Sequence, residues 1–220
     1  MPHKMAVLGW FDEFTPSDTR LMTTLLLIRH GLTDDVDHVL SGRAAGVRLN
    51  DDGRRQAAEL AERLREVPLD AILTSPLERA RDTAEAIAAR RSVRVQTIEA
   101  LQEFDVGAWT GRAIASMEAN TSWRRFNEVR SSTAAPGGEL MLAVQMRVVS
   151  TLLELGERYP DGTVAVISHG DVIRAALMHF LGMPIDFVHR LDVSPARISV
   201  VRLDGWAPRV LQVNGESALP

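Results

Sequence analysis

Leu25-Leu26-Leu27-Ile28-Arg29-His30-Gly31 and Val164-Ala165-Val166-Ile167-Ser168-His169-Gly170 are built alike. Each is a run of four apolar residues, then one polar residue, then His-Gly. Buried parallel strands are covered on both faces and read as continuous apolar runs, and a glycine ends each of these abruptly. In open α/β sheets, ligands sit just beyond the carboxyl ends of such strands. If the two strands are neighbours, His30 and His169 meet in one crevice with Arg29 beside them. Together they would form an anion site with a candidate nucleophile.

The chain on either side supports a sheet built around these strands. Residues 1–22 read as an N-terminal extension containing Pro2, Pro16, Ser17 and Asp18. The extension either docks through Trp10, Phe11 and Phe14 or stays disordered. Residues 23–220 read as a single domain. Residues 32–50 form a polar loop with Ser41-Gly42-Arg43, too long to be mere connection. Asn50 or Asp51 caps a helix whose face carries Ala57, Leu60, Ala61, Leu64 and Val67, and Pro68 ends it. Ala71–Thr74 is a second strand. Ser75-Pro76-Leu77-Glu78 then has the form of a capping box opening a helix with Arg79 near its start. Val93 to Ile98 alternates as a third strand.

Leu101 to Gly111 is a loop containing Glu103, Asp105, Gly107 and Trp109; Asp105 reads as a residue that orients it. Trp123-Arg124-Arg125-Phe126 reads either as a lid that meets an anionic substrate through Arg124 or Arg125, or as an ordinary amphipathic turn. Pro136-Gly137-Gly138 precedes a helix over about 139–157. Asp171 opens another helix, and Ile198–Leu203 and Val210–Val213 close the sheet, antiparallel at its edge. Alternating strands and helices imply an α/β fold of three layers, a mainly parallel mixed sheet flanked by helices.

The 220 residues are enough to bury a full core, and 45% apolar with 25% charged residues is ordinary for a globular chain. The net charge of -4 argues against a nucleic-acid or anionic-membrane partner. There is no cysteine, which excludes disulfides, thiolate metal sites and a cysteine nucleophile. No apolar run approaches the roughly 20 residues of a membrane span. The reading is therefore a cytoplasmic protein, monomeric or homodimeric.

A neutral histidine nitrogen aimed in line can accept a phosphoryl group. Arg29 and Arg79 would disfavour protonation of His30 while gripping phosphate oxygens. His169, and the backbone N–H groups of Gly170 and Asp171 at a helix start, would add hydrogen bonds to the phosphate. The leaving oxygen needs a proton, and Glu103 is the candidate donor because it sits in a glycine-rich loop after a strand.

These residues resemble the histidine phosphatase superfamily, in its phosphoglycerate mutase-like branch. Arg29-His30-Gly31 matches the family signature. Ser75, Leu77, Arg79, Ala80 and Thr83 match its Ser-x-Leu-x-Arg-Ala-x-x-Thr motif. Leu101, Glu103, Gly107 and Gly111 match its acid loop, and Gly137-Gly138-Glu139 and Ser168-His169-Gly170 complete the set. The resemblance covers about residues 24–203 and implies a phosphoglycerate mutase-like fold. It also implies that His30 accepts the phosphoryl group, that Arg29, Arg79 and His169 hold it, and that Glu103 donates and later takes the proton. Thr33 and Ser41 match polar positions that touch substrate. The family needs no metal, and no cofactor is implied. Leu140 stands where a serine often follows Gly-Gly-Glu, and Asp34-Asp35-Val36 where many members carry an asparagine.

Residues 112–136, between Gly111 and Gly137, are shorter than the insertion of glycolytic mutases, and in this the chain is similar to the phosphatases. The expected activity is hydrolysis of a small phosphorylated metabolite through a phosphohistidine, with the substrate-selecting groups in 112–136. The alternative is a phosphomutase of the cofactor-dependent phosphoglycerate type. A non-catalytic phospho-ligand binding protein is a third class, which would be expected to have lost His30 or Glu103.

Overall fold

The computed structural model describes residues 22–204 and 207–217. The expected extension, with Trp10, Phe11 and Phe14, lies outside the described residues apart from Met22, which is already the first residue of a strand. Six strands form one sheet: β1 (Met22–Arg29), β2 (Ala71–Thr74), β3 (Val95–Thr97), β4 (Thr163–Ser168), β5 (Ile198–Asp204) and β6 (Arg209–Gly215). Their order is β3-β2-β4-β1-β5-β6. The first four run parallel, and β5 and β6 close the edge antiparallel. The helices are α1 (Asp51–Arg63), α2 (Glu78–Ala88), α3 (Thr121–Glu128), α4 (Met141–Arg158) and α5 (Gly170–Phe180).

The two His-Gly strands are neighbours. β1 pairs with β4 in parallel register, Ile28 opposite Ile167 and Arg29 opposite Ser168. Successive side chains of a strand point to opposite faces. Leu25, Leu27, Val164 and Val166 therefore join one core with α3, α4 and α5, while Leu26, Ile28, Ala165 and Ile167 join the other with α1 and α2. Both layers need apolar partners, so both runs are apolar without a break. Each leucine, isoleucine or valine among them contributes about 1.5–3 kcal/mol when fully buried. Among the described residues, no helix is long and apolar enough to cross a membrane.

Several boundaries differ from the sequence reading for physical reasons. α1 ends at Arg63, four residues short of Val67. The Arg91 guanidinium donates to the carbonyls of Leu64 and Val67, taking up groups that would otherwise continue the helix. β3 keeps three residues, because its one neighbour, β2, is only four residues long and pairs with it over Ile72–Thr74. The capping box at Ser75 does not form. α2 begins at Glu78 behind Leu77, with no side-chain cap, and the Glu78 carboxylate accepts instead from the Gly46 N–H at 3.0 Å. Asn50 does cap α1, accepting from the Gly53 N–H at 2.8 Å. Gly53 is where α1 abuts the loop after β1: a Cβ there would lie 2.0 Å from the Leu32 carbonyl oxygen.

Candidate active site

The parallel strands all end at one edge of the sheet, and four of those ends deliver the polar groups. β1 ends in Arg29 and His30, and β4 in Ser168 and His169. Arg79 lies in the first turn of α2 after β2, and Glu103 in the loop after β3. The His30 N–H donates to the Ser168 carbonyl at 3.0 Å, and the two imidazole centroids stand 5.1 Å apart. Arg29, His30, Thr33, Ser41, Arg79, Glu103 and Gly170 all line a cleft of about 160 Å³. His169 is fully buried beside it.

The hydrogen bonds set the tautomers. His30 Nδ1 lies 2.7 Å from the Gly31 carbonyl oxygen. A carbonyl only accepts, so Nδ1 carries the proton and Nε2 keeps its lone pair. Burial, then Arg79 and Arg29, hold the pKa of this ring well below the usual histidine range. The ring is neutral at neutral pH and nucleophilic at Nε2. His169 Nε2 lies 2.7 Å from Ser75 Oγ, which also accepts from the Leu77 N–H at 3.3 Å. The Ser75 hydroxyl proton is then free to point to His169 Nε2, leaving Nδ1–H as a donor. Burial first, then Arg79, His30 and Arg29, lower this ring's pKa as well. Ser75 therefore serves a buried imidazole as well as the Leu77 N–H just ahead of α2.

Three donors around the cleft lack partners. Arg29 spends Nη1 on the Val193 carbonyl (2.7 Å) and leaves Nε buried and unpaired. Arg79 spends Nη2 on the Gly42 carbonyl (2.8 Å) and leaves Nη1 so. His169 Nδ1 is the third. A buried unsatisfied polar group costs about 1–3 kcal/mol, more when charged. Three such donors around one cleft favour an anion there. Thr83 of the second motif fastens this arrangement: its hydroxyl donates to the Arg79 carbonyl (2.8 Å) and accepts from the Gly31 N–H (3.0 Å).

Glu103 is the titratable counterpart. Burial, reinforced by the negative charge of Asp171, pushes its carboxyl up to about 7, against the pull of Arg79 and Arg29. Near neutrality it can hold a proton and give it up. Asp171 behaves oppositely: burial works against its ionisation, yet Arg130 (2.9 Å) and Arg174 (2.8 Å) hold it well below the usual carboxylate range.

Thr33 and Gly170 line the cleft as the motifs imply, and Ser41 lines it with its hydroxyl donating to Asp35 Oδ2 at 2.7 Å. His38 is exposed, and what the loop uses is its backbone, which pairs with Ile114. The lid reading of Trp123–Phe126 gives way to the amphipathic one. Phe126 is buried in a ring cluster with Phe104, Trp109 and Trp123, while Arg124 and Arg125 are exposed away from the cleft. Of residues 112–136, Ile114 reaches the cleft wall, and residues 33–42 supply the largest contiguous share of that wall.

Sequence reasoning missed Arg130 and Arg174. Arg130 is 3% exposed beneath α3, bonded to Asp171 and Asn127 and lying 4.6 Å over the Phe126 ring. Nothing local announces it. Arg174 falls three residues after Asp171 on a helix, a spacing that signals an ion pair. Among the described residues, no group of three or more His, Asp or Glu is set to hold a metal ion.

A family model described as histidine phosphatase superfamily (branch 1) matches residues 25–216. The chain belongs to that superfamily. Phosphoserine phosphatase 1 of Hydrogenobacter thermophilus is 29% identical, over 88% of this chain and 92% of its own length. Glucosyl-3-phosphoglycerate phosphatase of Mycobacterium tuberculosis is 32% identical, over 84% and 86%. The crystal structure of phosphoserine phosphatase from Entamoeba histolytica in complex with 3-phosphoglyceric acid superposes with a TM-score of 0.79 at 25% identity, covering 90% of this chain and all of that one. As a member of the histidine phosphatase superfamily with relatives named phosphatases, the chain is a phosphoric monoester hydrolase.

Proposed function

We propose that the enzyme hydrolyses a small phosphorylated metabolite in two steps through a phosphohistidine on His30. In the first step, His30 Nε2 attacks phosphorus in line and the bond to the ester oxygen breaks. Glu103 passes its proton to that oxygen, so the alcohol leaves neutral and Glu103 is left ionised. In the second step a water attacks the phosphoryl group, Glu103 takes a proton from it, and the phosphorus–nitrogen bond breaks. Inorganic phosphate departs, with His30 neutral and Glu103 protonated as at the start. Arg29, Arg79, His169 Nδ1–H and the backbone at Gly170, the first residue of α5, stabilise the charge on the equatorial oxygens. Thr33 and Ser41 contact the substrate at the rim.

One observation carries this reading: a neutral imidazole in the cleft wall, its Nδ1 spent on the Gly31 carbonyl so that Nε2 keeps its lone pair, beside the unpaired Nε of Arg29 and Nη1 of Arg79. Transfer to water and not to a second substrate hydroxyl is supported by the short 112–136 stretch and by the phosphatase relatives, whose names point to small phosphoesters. In the decisive experiment His30→Ala abolishes both hydrolysis of an aryl phosphate and the acid-labile phosphoenzyme seen on rapid quench. Full hydrolysis by His30→Ala would end the assignment. With 3-phosphoglycerate and a trace of 2,3-bisphosphoglycerate, phosphate release exceeds isomerisation; the reverse would make the enzyme a mutase.

A further inference from the structure

We propose that Glu139 is the positioning residue of the proton donor, holding Glu103 through two arginines; this rests on the reading of Glu103 as general acid. The Glu103 carboxyl has little of its own to locate it, because Oε1 accepts from the next residue's N–H, that of Phe104, at 3.0 Å. Its placement therefore depends on the backbone of residues 103–105. The Glu103 carbonyl accepts from Arg43 Nε at 2.9 Å and from Arg147 Nη2 at 3.4 Å. Arg43 comes from the loop after β1 and Arg147 from α4, elements with no other reason to converge. Glu139 grips both: Oε2 accepts from Arg43 Nη2 (2.8 Å) and Arg147 Nη2 (3.1 Å), and Oε1 from Arg147 Nε (3.0 Å).

Glu139 also pairs with the acid loop directly. Its N–H donates to the Asp105 carbonyl at 2.9 Å, and its Oε2 accepts from the Asp105 N–H at 3.4 Å. The approach is possible because the facing positions are glycines: a Cβ on Gly138 would lie 2.4 Å from the Asp105 carbonyl oxygen, and one on Gly107 2.3 Å from that of Pro136. The pair Gly138-Glu139 thus has a physical purpose in which glycine admits the loop and glutamate locks it. Glu139 has a second effect. It neutralises two guanidinium groups that, left alone, would favour the ionised form of Glu103.

The test is Glu139→Gln, which keeps the size and removes the charge, assayed on p-nitrophenyl phosphate and on β-glycerol phosphate. An aryl leaving group departs with little help, whereas an alkyl one needs the acid. General acid catalysis contributes about 10²–10⁴-fold, so losing its alignment lowers kcat on β-glycerol phosphate by about 10–100-fold. On the aryl ester the fall stays within about threefold, and the alkaline limb on the alkyl ester moves to lower pH. Arg147→Lys keeps the charge and loses the fork, and shows the same substrate-dependent pattern more weakly. It also carries the test if Glu139→Gln fails to fold. Equal losses on both esters, or no loss on either, would overturn the positioning role. Glu103→Gln is run on the same pair: if it does not discriminate between them, the acid assignment itself is wrong. If it does discriminate and neither Glu139→Gln nor Arg147→Lys does, the positioning role alone falls.

Discussion

With its carboxyl at about 7, Glu103 is about half protonated at pH 7, about a tenth at pH 8 and about a hundredth at pH 9. In the first half-reaction only the protonated form delivers a proton. For an alkyl phosphate, kcat/KM therefore falls about fivefold from pH 7 to 8 and about tenfold from pH 8 to 9. His30 adds no limb in this window, because its pKa lies well below the usual range and it stays neutral. In kcat the limb lies at higher pH, since bound phosphate disfavours an ionised neighbour. Glu103→Gln removes the limb and costs about 10²–10⁴-fold on the alkyl ester. The same substitution has a stability consequence of defined sign. A carboxyl raised from 4.5 to about 7 stabilises the fold fully below the lower value and loses that contribution as pH climbs through the higher one. Glutamine never ionises, so the variant is more stable than the parent above pH 7, by about 1–3 kcal/mol, and equal to it near pH 4. Rate profiles on β-glycerol phosphate and urea melts at pH 4.5 and 8.5 check both halves. A limb near pH 7 that survives in Glu103→Gln, or a variant less stable than the parent at pH 8.5, would refute the reasoning.

Two further substitutions separate chemistry from packing. Ser75→Ala removes the hydroxyl that holds His169 Nε2 at 2.7 Å, so the Nδ1–H tautomer is no longer enforced. A hydrogen bond to a charged group is worth about 1.5–3 kcal/mol, so kcat/KM falls about 10–100-fold on aryl and alkyl esters alike, in contrast to Glu139→Gln; unchanged aryl activity would show the bond is not used. Gly53→Ala raises helix propensity by up to about 1 kcal/mol, yet its Cβ would lie 2.0 Å from the Leu32 carbonyl oxygen. Denaturant melts will show a net loss of about 2–4 kcal/mol, and a stabilised variant would mean the helix does not abut that loop.

What was legible from sequence, and what was not, divides along the range of the interactions involved. β1 and β4 could be read because burial on both faces demands apolar residues without a break, and their His-Gly ends placed two imidazoles at one edge of the sheet. Glu103 and Arg79 could be read because each follows directly on a strand that ends there. Ser75 could not. The same Ser-Pro-Leu-Glu letters suit a capping box and a histidine partner, and the choice is decided by a ring 94 residues away with no other donor. Arg130 and the role of Glu139 were opaque for the same reason, since one partner of each, Asp171 and Arg43, stands 41 and 96 residues distant.

The small share of the cleft wall that 112–136 supplies, beside that of 33–42, also has a physical cause. A stretch rich in tryptophan, phenylalanine and arginine resembles a lid when read alone. In the fold, Phe126 stacks on Phe104, next to Glu103, with centroids 5.8 Å apart, so α3 supports the acid loop from behind. Its burial leaves the substrate face to the loop that begins at His30 itself. Ser41 and Asp35 there are hydrogen-bonded to each other, and Gly42 anchors Arg79 through its carbonyl. On the proposed function, substrate choice and phosphate grip share one loop, so substitutions near Gly42 that alter specificity will also perturb Arg79, whereas those on the exposed face of α3, such as Arg124 and Arg125, will change neither.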